Sequence, residues 1–301
     1  MDLRQLRYFV TVAEEKNITA AAKKLYISQP PLSTQLHQLE QELGCVLFER
    51  GPRRIQLTEA GRMLYNRATA ILQLTEQAQM ELRDYTGGIR GTLRFGAVSS
   101  VSGTVLTEWI SSFHDQFPEV QFELQEGNTY QLLEQVRTHR IELAIIRTPF
   151  QANGMKQYPL EEEPMLAAGH RRYFAKSDEP TISLAQLAAQ PLIMYRRWAE
   201  IVASLFEQLQ LRPLYFCKND DARTTALWAD AGLGVGLLPR SARSLLHHPE
   251  TIFREIAEPR LRTAITIVRS RETYLSAIGA RFISHIRQNE ALRSNVPIQS
   301  V

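Results

Sequence analysis

The sequence predicts an α+β multidomain chain: a small helical head closed by a hairpin, one long helix, and a C-terminal α/β part built as two lobes. Three observations carry this expectation. Apolar residues recur at helical spacing through residues 2–58 and give way to a Gly-Pro turn. Residues 59–85 hold no proline and repeat small or apolar residues in steps of three and four. From residue 91 onward, short apolar runs alternate with helical patterns. A chain of 301 residues is long enough for two or three domains, each with its own core. Hydrophobic residues at 44% and charged residues at 22% are ordinary for a globular protein and exclude a disordered or fibrous chain.

Taken in order, Leu3, Leu6, Phe9, Val10 and Ala13 mark one face of a first helix. A second is expected to start after Thr19 as N-cap and to run from Ala20 to Leu25. Ser28 then caps a third, whose Pro30 and Pro31 fall in a first turn, where N–H groups have no helical partner. Leu32, Leu36, Leu39 and Leu43 lie on one face of it, leaving Thr34, His37, Gln38 and Gln41 on the other, and Gly44 ends it. The segment Leu47–Leu57 holds Arg50, Gly51, Pro52, Arg53 and Arg54 between two apolar pairs, the pattern of a two-stranded wing tipped with three arginines.

Thr58 caps a helix expected from Glu59 to about Tyr85, in which Gly61, Leu64, Ala68, Ile71, Thr75, Ala78, Leu82 and Tyr85 form a heptad seam. Such a helix extends roughly 40 Å, so its stripe is expected to pack on a partner helix; lying along its own domain is the alternative. Gly87 and Gly88 release the chain. Strands are expected at Leu93–Val98, Val120–Leu124 and Leu143–Ile146, then at 192–194, 214–217, 235–238 and 263–268. Helices are expected at Val105–Phe113 and Tyr130–Thr138, then near 199–209, 222–230 and 275–287, which suffices for two doubly wound lobes. The expected division is a head at 1–58, a linker helix and hinge at 59–90, and a two-lobed domain at 91–301. Lobe I takes about 91–162 and 267–301, and lobe II about 163–266.

The charges Arg4, Arg7, Glu14, Glu15 and Lys16 interrupt any secretory leader, and no segment has the length of a membrane span, so a cytoplasmic location is expected. Cys45 and Cys217 lie too far apart for a disulfide framework or zinc finger, and a formal charge of +3 does not announce a nucleic-acid binder. No Gly-rich nucleotide loop or Gly-x-Ser-x-Gly elbow is present, and His247-His248 is no helical metal pair. The chain is therefore not expected to be an enzyme or to hold a metal or cofactor.

The run Ala20-Ala21-Ala22-Lys23-Lys24-Leu25-Tyr26-Ile27-Ser28-Gln29-Pro30-Pro31-Leu32-Ser33 is followed by Leu39-Glu40, Leu43-Gly44, Leu47-Phe48-Glu49-Arg50, Leu57-Thr58 and Ala60-Gly61. Together these closely resemble the LysR-type transcriptional regulators. Leu143–Arg147 and Gly232–Pro239 are similar to that family's regulatory domain, so the resemblance covers nearly the whole chain. It implies a winged helix-turn-helix, a linker helix, and a C-terminal domain of periplasmic-binding-protein-like fold. It also implies binding to an interrupted palindrome in double-stranded DNA as a dimer of dimers, with RNA polymerase as a further partner. Where the family often has arginine after the helix serine, this chain has Thr34. The Pro-Pro-Leu-Ser helix start and Tyr195-Arg196-Arg197 are similar to the branch that responds to aromatic acids.

A winged helix reads bases with its third helix and grips phosphate with positive charges elsewhere. Thr19, Ser28, Gln29, Pro30, Pro31, Ser33, Thr34, His37 and Gln38 are the candidates at the helix, with Arg50, Arg53 and Arg54 in the wing. As an isolated pattern they would be a solvated surface, since residues 1–58 carry eight Lys/Arg against six Asp/Glu. In a two-lobed α/β domain a small molecule belongs in the crevice at strand ends. Ser99, Ser100 and Thr129, as helix-start hydroxyls, with Arg147, Tyr195 and Arg196, are the candidates for a carboxylate effector, against ordinary roles as caps and salt-bridge residues. Two rivals stay open: a thiol-responsive regulator acting through Cys217, and a non-catalytic solute-binding protein.

Overall fold

The computed structural model describes residues 1–50, 55–86, 89–174 and 179–294. It divides into a unit made chiefly of Met1–Gly88 and a unit made of Ile89–Val136 with Ile141–Val301.

In the first unit, helices α1 (Leu3–Glu15), α2 (Ile18–Lys24) and α3 (Gln29–Leu43) precede a hairpin of β1 (Phe48–Arg50) and β2 (Ile55–Leu57), and α4 (Glu59–Thr86) follows. Asp2 and Gln5 start α1 with a reciprocal capping box. The cap of α2 is Asn17, whose Oδ1 accepts the Ala20 N–H at 3.0 Å, and not Thr19, which lies inside the first turn. Both residue types can cap; the extended backbone at Asn17 decides between them. Ser28 holds the N-cap position of α3 without a side-chain cap bond, and Gly44 ends the helix at φ 66°. Leu32, Leu36 and Leu39 are buried with Leu6, Phe9, Val12 and Phe48, and the Phe9 and Phe48 rings lie 5.2 Å apart.

The hairpin pairs Phe48 with Leu57 and Arg50 with Ile55. Glu40 ties it to α3, its Oε1 accepting the Leu47 N–H at 2.8 Å. Thr58 caps α4, accepting the Gly61 N–H at 2.9 Å while donating to the Val46 carbonyl at 2.7 Å. The seam of α4 divides. Ala68 is buried in the head's own core with Leu64 and Tyr65 packed against it, whereas Leu74 and Leu82 are 67% and 70% exposed. Tyr85 of the expected seam and the Gly87-Gly88 release lie outside the residues whose side chains are described.

The second unit runs β3 (Gly91–Ala97), α5 (Ser99–Ser102), α6 (Leu106–Gln116), β4 (Val120–Glu126), α7 (Thr129–Arg137), β5 (Leu143–Arg147), β6 (Met155–His170), β7 (Thr181–Ile182), α8 (Leu184–Ala188), β8 (Pro191–Tyr195), α9 (Ala199–Gln208), β9 (Leu214–Asn219), α10 (Ala222–Asp230), β10 (Val235–Pro239), β11 (Thr251–Ile256), β12 (Arg262–Ser270) and α11 (Ala277–Ser294). The sheet path is β4-β3-β5-β12-β6-β10-β8-β9. Neighbours β4, β3 and β5 are parallel, as are β10, β8 and β9, but β12 and β6 pair antiparallel with their neighbours. Each lobe's sheet is therefore mixed, its parallel strands flanked by the antiparallel β6 and β12.

The 16-residue strand β6 was not anticipated. Its Met155, Tyr158 and Leu160 pack in the lobe I core, and its Met165 and Ala167 in the lobe II core. Strand β12 accompanies it, with register from Ser270↔Met155 to Arg262↔Pro164 and a shift between Ala264 and Thr266. Lobe I also takes Ile278, Phe282, Ile283 and Ile286 from α11 into its core.

A Cβ at position 61 would lie 2.1 Å from the Leu47 carbonyl oxygen, whereas one at position 44 meets nothing within 4 Å. Gly61→Ala is expected to cost about 3 kcal/mol through that clash with backbone. Gly44→Ala should cost about 1–2 kcal/mol, through its left-handed backbone alone. Urea unfolding followed by circular dichroism measures both; equal costs would show that the Leu47 segment can yield.

Candidate functional sites: a polar helix face and a cleft between lobes

The leucine stripe of α3 turns its other side outward. Thr19, Ser28, Gln29, Pro30, Pro31, Thr34, His37 and Gln38 are exposed, and Ser33 is half-buried. Several of these side chains rest on their own helix. Thr34 Oγ1 donates to the Pro30 carbonyl at 3.0 Å, Gln38 accepts from Gln35 at 2.9 Å, and His37 lies 3.1 Å from Gln41 Nε2. These are solvent-exposed bonds, so another polar partner can replace them at low cost. Tyr26, at φ 56° in the turn before α3, is 96% exposed and was not singled out from the sequence. Arg53 and Arg54 lie outside the described residues, as does the side chain of Arg50.

In the second unit a cavity of about 770 Å³ opens between the lobes, a size suited to a small molecule. Lobe I contributes Asn128–Tyr130 and Pro149–Gln151; lobe II contributes Tyr195–Arg197, Glu200, Ile201 and Asp220. Of the expected effector residues, Thr129, Tyr195 and Arg196 line it together. Thr129 is the first residue of α7 and not its cap, because Asn128 Oδ1 accepts the Gln131 N–H at 3.0 Å. Tyr195 is buried, and burial pushes its phenol above the usual range. Arg196 points outward, 60% exposed, and pairs with Asp220 at 2.7 Å.

Ser99, Ser100 and Arg147 do not line the cavity. Ser99 Oγ accepts the Ala222 N–H at 3.3 Å, joining the start of α5 to the start of α10. Arg147 is 2% exposed: its Nη1 meets Glu163 at 2.5 Å, its Nε donates to Ser100 Oγ at 3.0 Å and its Nη2 to Ser241 Oγ at 2.6 Å. Glu163 also accepts from the Ser241 hydroxyl at 2.9 Å. The countercharge expected of Arg147 is thus already spent on a buried carboxylate, a partner on a strand that the sequence did not reveal.

Arg197, which lies one residue beyond the expected pair, enters the cleft. Its Nη1 donates to Thr129 Oγ1 at 2.5 Å, and its Nη2 donates to the Pro149 carbonyl at 2.9 Å and to the Arg147 carbonyl. Burial lowers its pKa from the ordinary guanidinium value, although arginine stays charged. Cys45 and Cys217 are both free and half-buried. No group of three or more His, Cys, Asp or Glu suited to a metal occurs among the described residues, and no helix among them is long and apolar enough to cross a membrane.

The model of the bacterial regulatory helix-turn-helix protein, lysR family, matches residues 3–62, and that of the LysR substrate binding domain matches residues 86–291. The HTH-type transcriptional regulator BsdA of Bacillus subtilis (strain 168) is 33% identical over 246 residues, covering 79% of this chain and 84% of that protein. BudR of Raoultella terrigena, also an HTH-type transcriptional regulator, is 33% identical over 279 residues, covering 89% and 94%. The crystal structure of full-length CbnR complexed with its target DNA is similar at a TM-score of 0.73 and 29% identity, covering 96% of this chain and 99% of that one.

Removing one partner of the buried ion pair strands the other charge. Arg147→Met is expected to destabilise the second unit by about 3–5 kcal/mol, and Arg147→Met combined with Glu163→Met to recover part of that loss. Urea unfolding of the single and double variants measures the coupling; additive costs would contradict it.

Proposed function

Because the chain belongs to the LysR family of transcriptional regulators, we propose that its head reads a specific promoter sequence and that a carboxylate effector, bound between the lobes, controls the reading. The observation that carries the first part is the exposed polar face of α3, set opposite a buried leucine stripe in a chain similar over 96% of its length to CbnR solved with target DNA. In this reading α3 lies in the major groove. Gln29 and Gln38 have the donor-acceptor pair that matches adenine, and Ser33, Thr34 and His37 offer single bonds to base edges. The wing arginines Arg50, Arg53 and Arg54 grip phosphate.

The division of labour follows: residues 1–58 bind DNA, 59–90 pair and connect subunits, and 91–301 sense the effector. The exposed far half of α4, with Leu74 and Leu82, supports pairing of heads on the two halves of a palindrome. A cytoplasmic dimer of dimers is the assembly that suits such a site. The cavity supports the second part. Its size suits a small acid, its walls carry Tyr130, Phe150 and Tyr195 for an aromatic body, and Thr129 and Arg197 offer donors to a carboxylate.

Footprinting of the purified chain on its own upstream DNA, with and without a panel of aromatic and aliphatic acids, tests this reading. The expected result is an interrupted palindrome whose protected span changes with one acid. The absence of sequence-selective protection there and on genome-selected fragments would refute it. Gln29→Ala or Gln38→Ala should relax base preference by about 1–3 kcal/mol at one position. Arg53→Ala with Arg54→Ala should weaken binding to all sequences alike and flatten the log-affinity against log-salt slope by roughly 0.9 per lost contact, so an unchanged slope removes them from the phosphate contacts.

A further inference from the structure

Arg196 and Arg197 line the cavity, and Arg147 and Arg223 bond across the junction of the lobes; three of these four arginines are neutralised. Arg147 meets Glu163, Arg196 meets Asp220, and Arg223 meets Asp221 at 2.8 Å and Glu126 at 3.0 Å. Arg197 differs. Its hydrogen bonds all end on neutral oxygens, those of Thr129, Arg147 and Pro149, and its Nε is buried with no partner. Among the described residues no carboxylate lies within ion-pair distance of it. A partly buried cation without a counter-ion is costly unless an anion reaches it, and this one borders a cavity open to a small molecule.

Its attachment is equally specific. The short 3₁₀ turn Arg196–Trp198 carries it, and the indole of Trp198, 2% exposed, anchors that turn in the lobe II core. The guanidinium nevertheless bonds only to lobe I: to the first residue of α7, to the last residue of β5 and to Pro149. Arg197 is thus rooted in one lobe and tied to the other, at the wall of the cavity.

We propose that Arg197 is the residue that selects an anionic effector, and that the ligand's carboxylate takes the guanidinium from the lobe I oxygens, so that binding replaces a direct tie between lobes by one that runs through the ligand. This deepens the reading of the cavity as an effector site and rests on it. A planar carboxylate matches the guanidinium fork, and its charge offers what the two carbonyls and the hydroxyl do not. An uncharged isostere can offer no more than the present partners and gains nothing by displacing them. Two discrete arrangements of one side chain, of which the ligand favours one, give the lobes a switch that the ligand biases.

The test uses the full chain and thermal unfolding with benzoate, phenylacetate and hexanoate, each beside its own amide. At least one acid is expected to raise the melting temperature in a dose-dependent way while its amide does not. Arg197→Gln should weaken that acid by roughly tenfold to a hundredfold, the loss of charge-assisted bonds. Arg197→Lys, which keeps the charge without the fork, should fall between, and Arg171→Gln, at an exposed arginine outside the cavity lining, should match the parent. An acid that binds Arg197→Gln as tightly as the parent, an amide that binds as well as its acid, or a panel in which no acid binds overturns the proposal. Melting of the variants without ligand reports whether they fold. Footprinting of the parent without acid separates the two readings: sequence-selective protection there leaves the regulator standing even where Arg197 fails, and its absence condemns the regulator itself.

Discussion

The two lobes meet on a buried charge. Arg147 ends β5 in lobe I, Glu163 sits where β6 passes from one core to the other, and Ser241 follows β10 in lobe II, with Ser100 completing the set. An ion pair so removed from water stabilises little against an apolar replacement, but its geometric demands are severe, since each donor and acceptor must find its partner. That demand fixes the end of β5 against β6 and thereby places the carbonyls of Arg147 and Pro149 at the cleft. The cavity wall is built on that constraint: Arg147, expected from the sequence to meet a carboxylate ligand, instead holds the frame, while its backbone oxygen receives Arg197.

The head depends on a different economy. Its core is closed by α1, α2, α3 and the start of α4 around leucines and two phenylalanines, and the hairpin is held by side-chain bonds to backbone from Glu40 and Thr58. Beyond the exposed prolines of its first turn, the surface left over on α3 is polar because each of its leucines, apart from Leu43 at its end, has been taken inward. The proposed recognition surface and the core are two sides of one helix, so the packing that stabilises the head also aims the side chains that would face DNA.

How much was legible depended on whether a feature was local. The α3 stripe, the Gly44 stop and the Thr58 cap are set by neighbours a few residues apart and could be read directly. The α2 cap was misplaced by two residues because Asn17 and Thr19 are both residue types that cap, although asparagine does so better. Strand β6 escaped because Lys156 and the run Glu161-Glu162-Glu163-Pro164 break any apolar alternation; what makes it a strand is pairing with β12, about a hundred residues away. Once β6 was missed, Glu163 could not be seen as the partner of Arg147. The choice between Arg196 and Arg197 was likewise invisible, since only the 3₁₀ turn after β8 decides which of two adjacent arginines faces solvent and which the cleft.

The threading of lobe I also governs how the protein is made. Its first strand begins at Gly91, yet β12 pairs with β5 inside it and α11 supplies Phe282 and Ile286 to its core. A ribosome delivers the head complete, then half of lobe I, then the whole of lobe II, before the residues that close lobe I emerge. Until then the apolar surface of β5 and the helices beside it waits without cover, so lobe I is the last part of the nascent chain to mature and the part for which a chaperone has the longest opportunity to act.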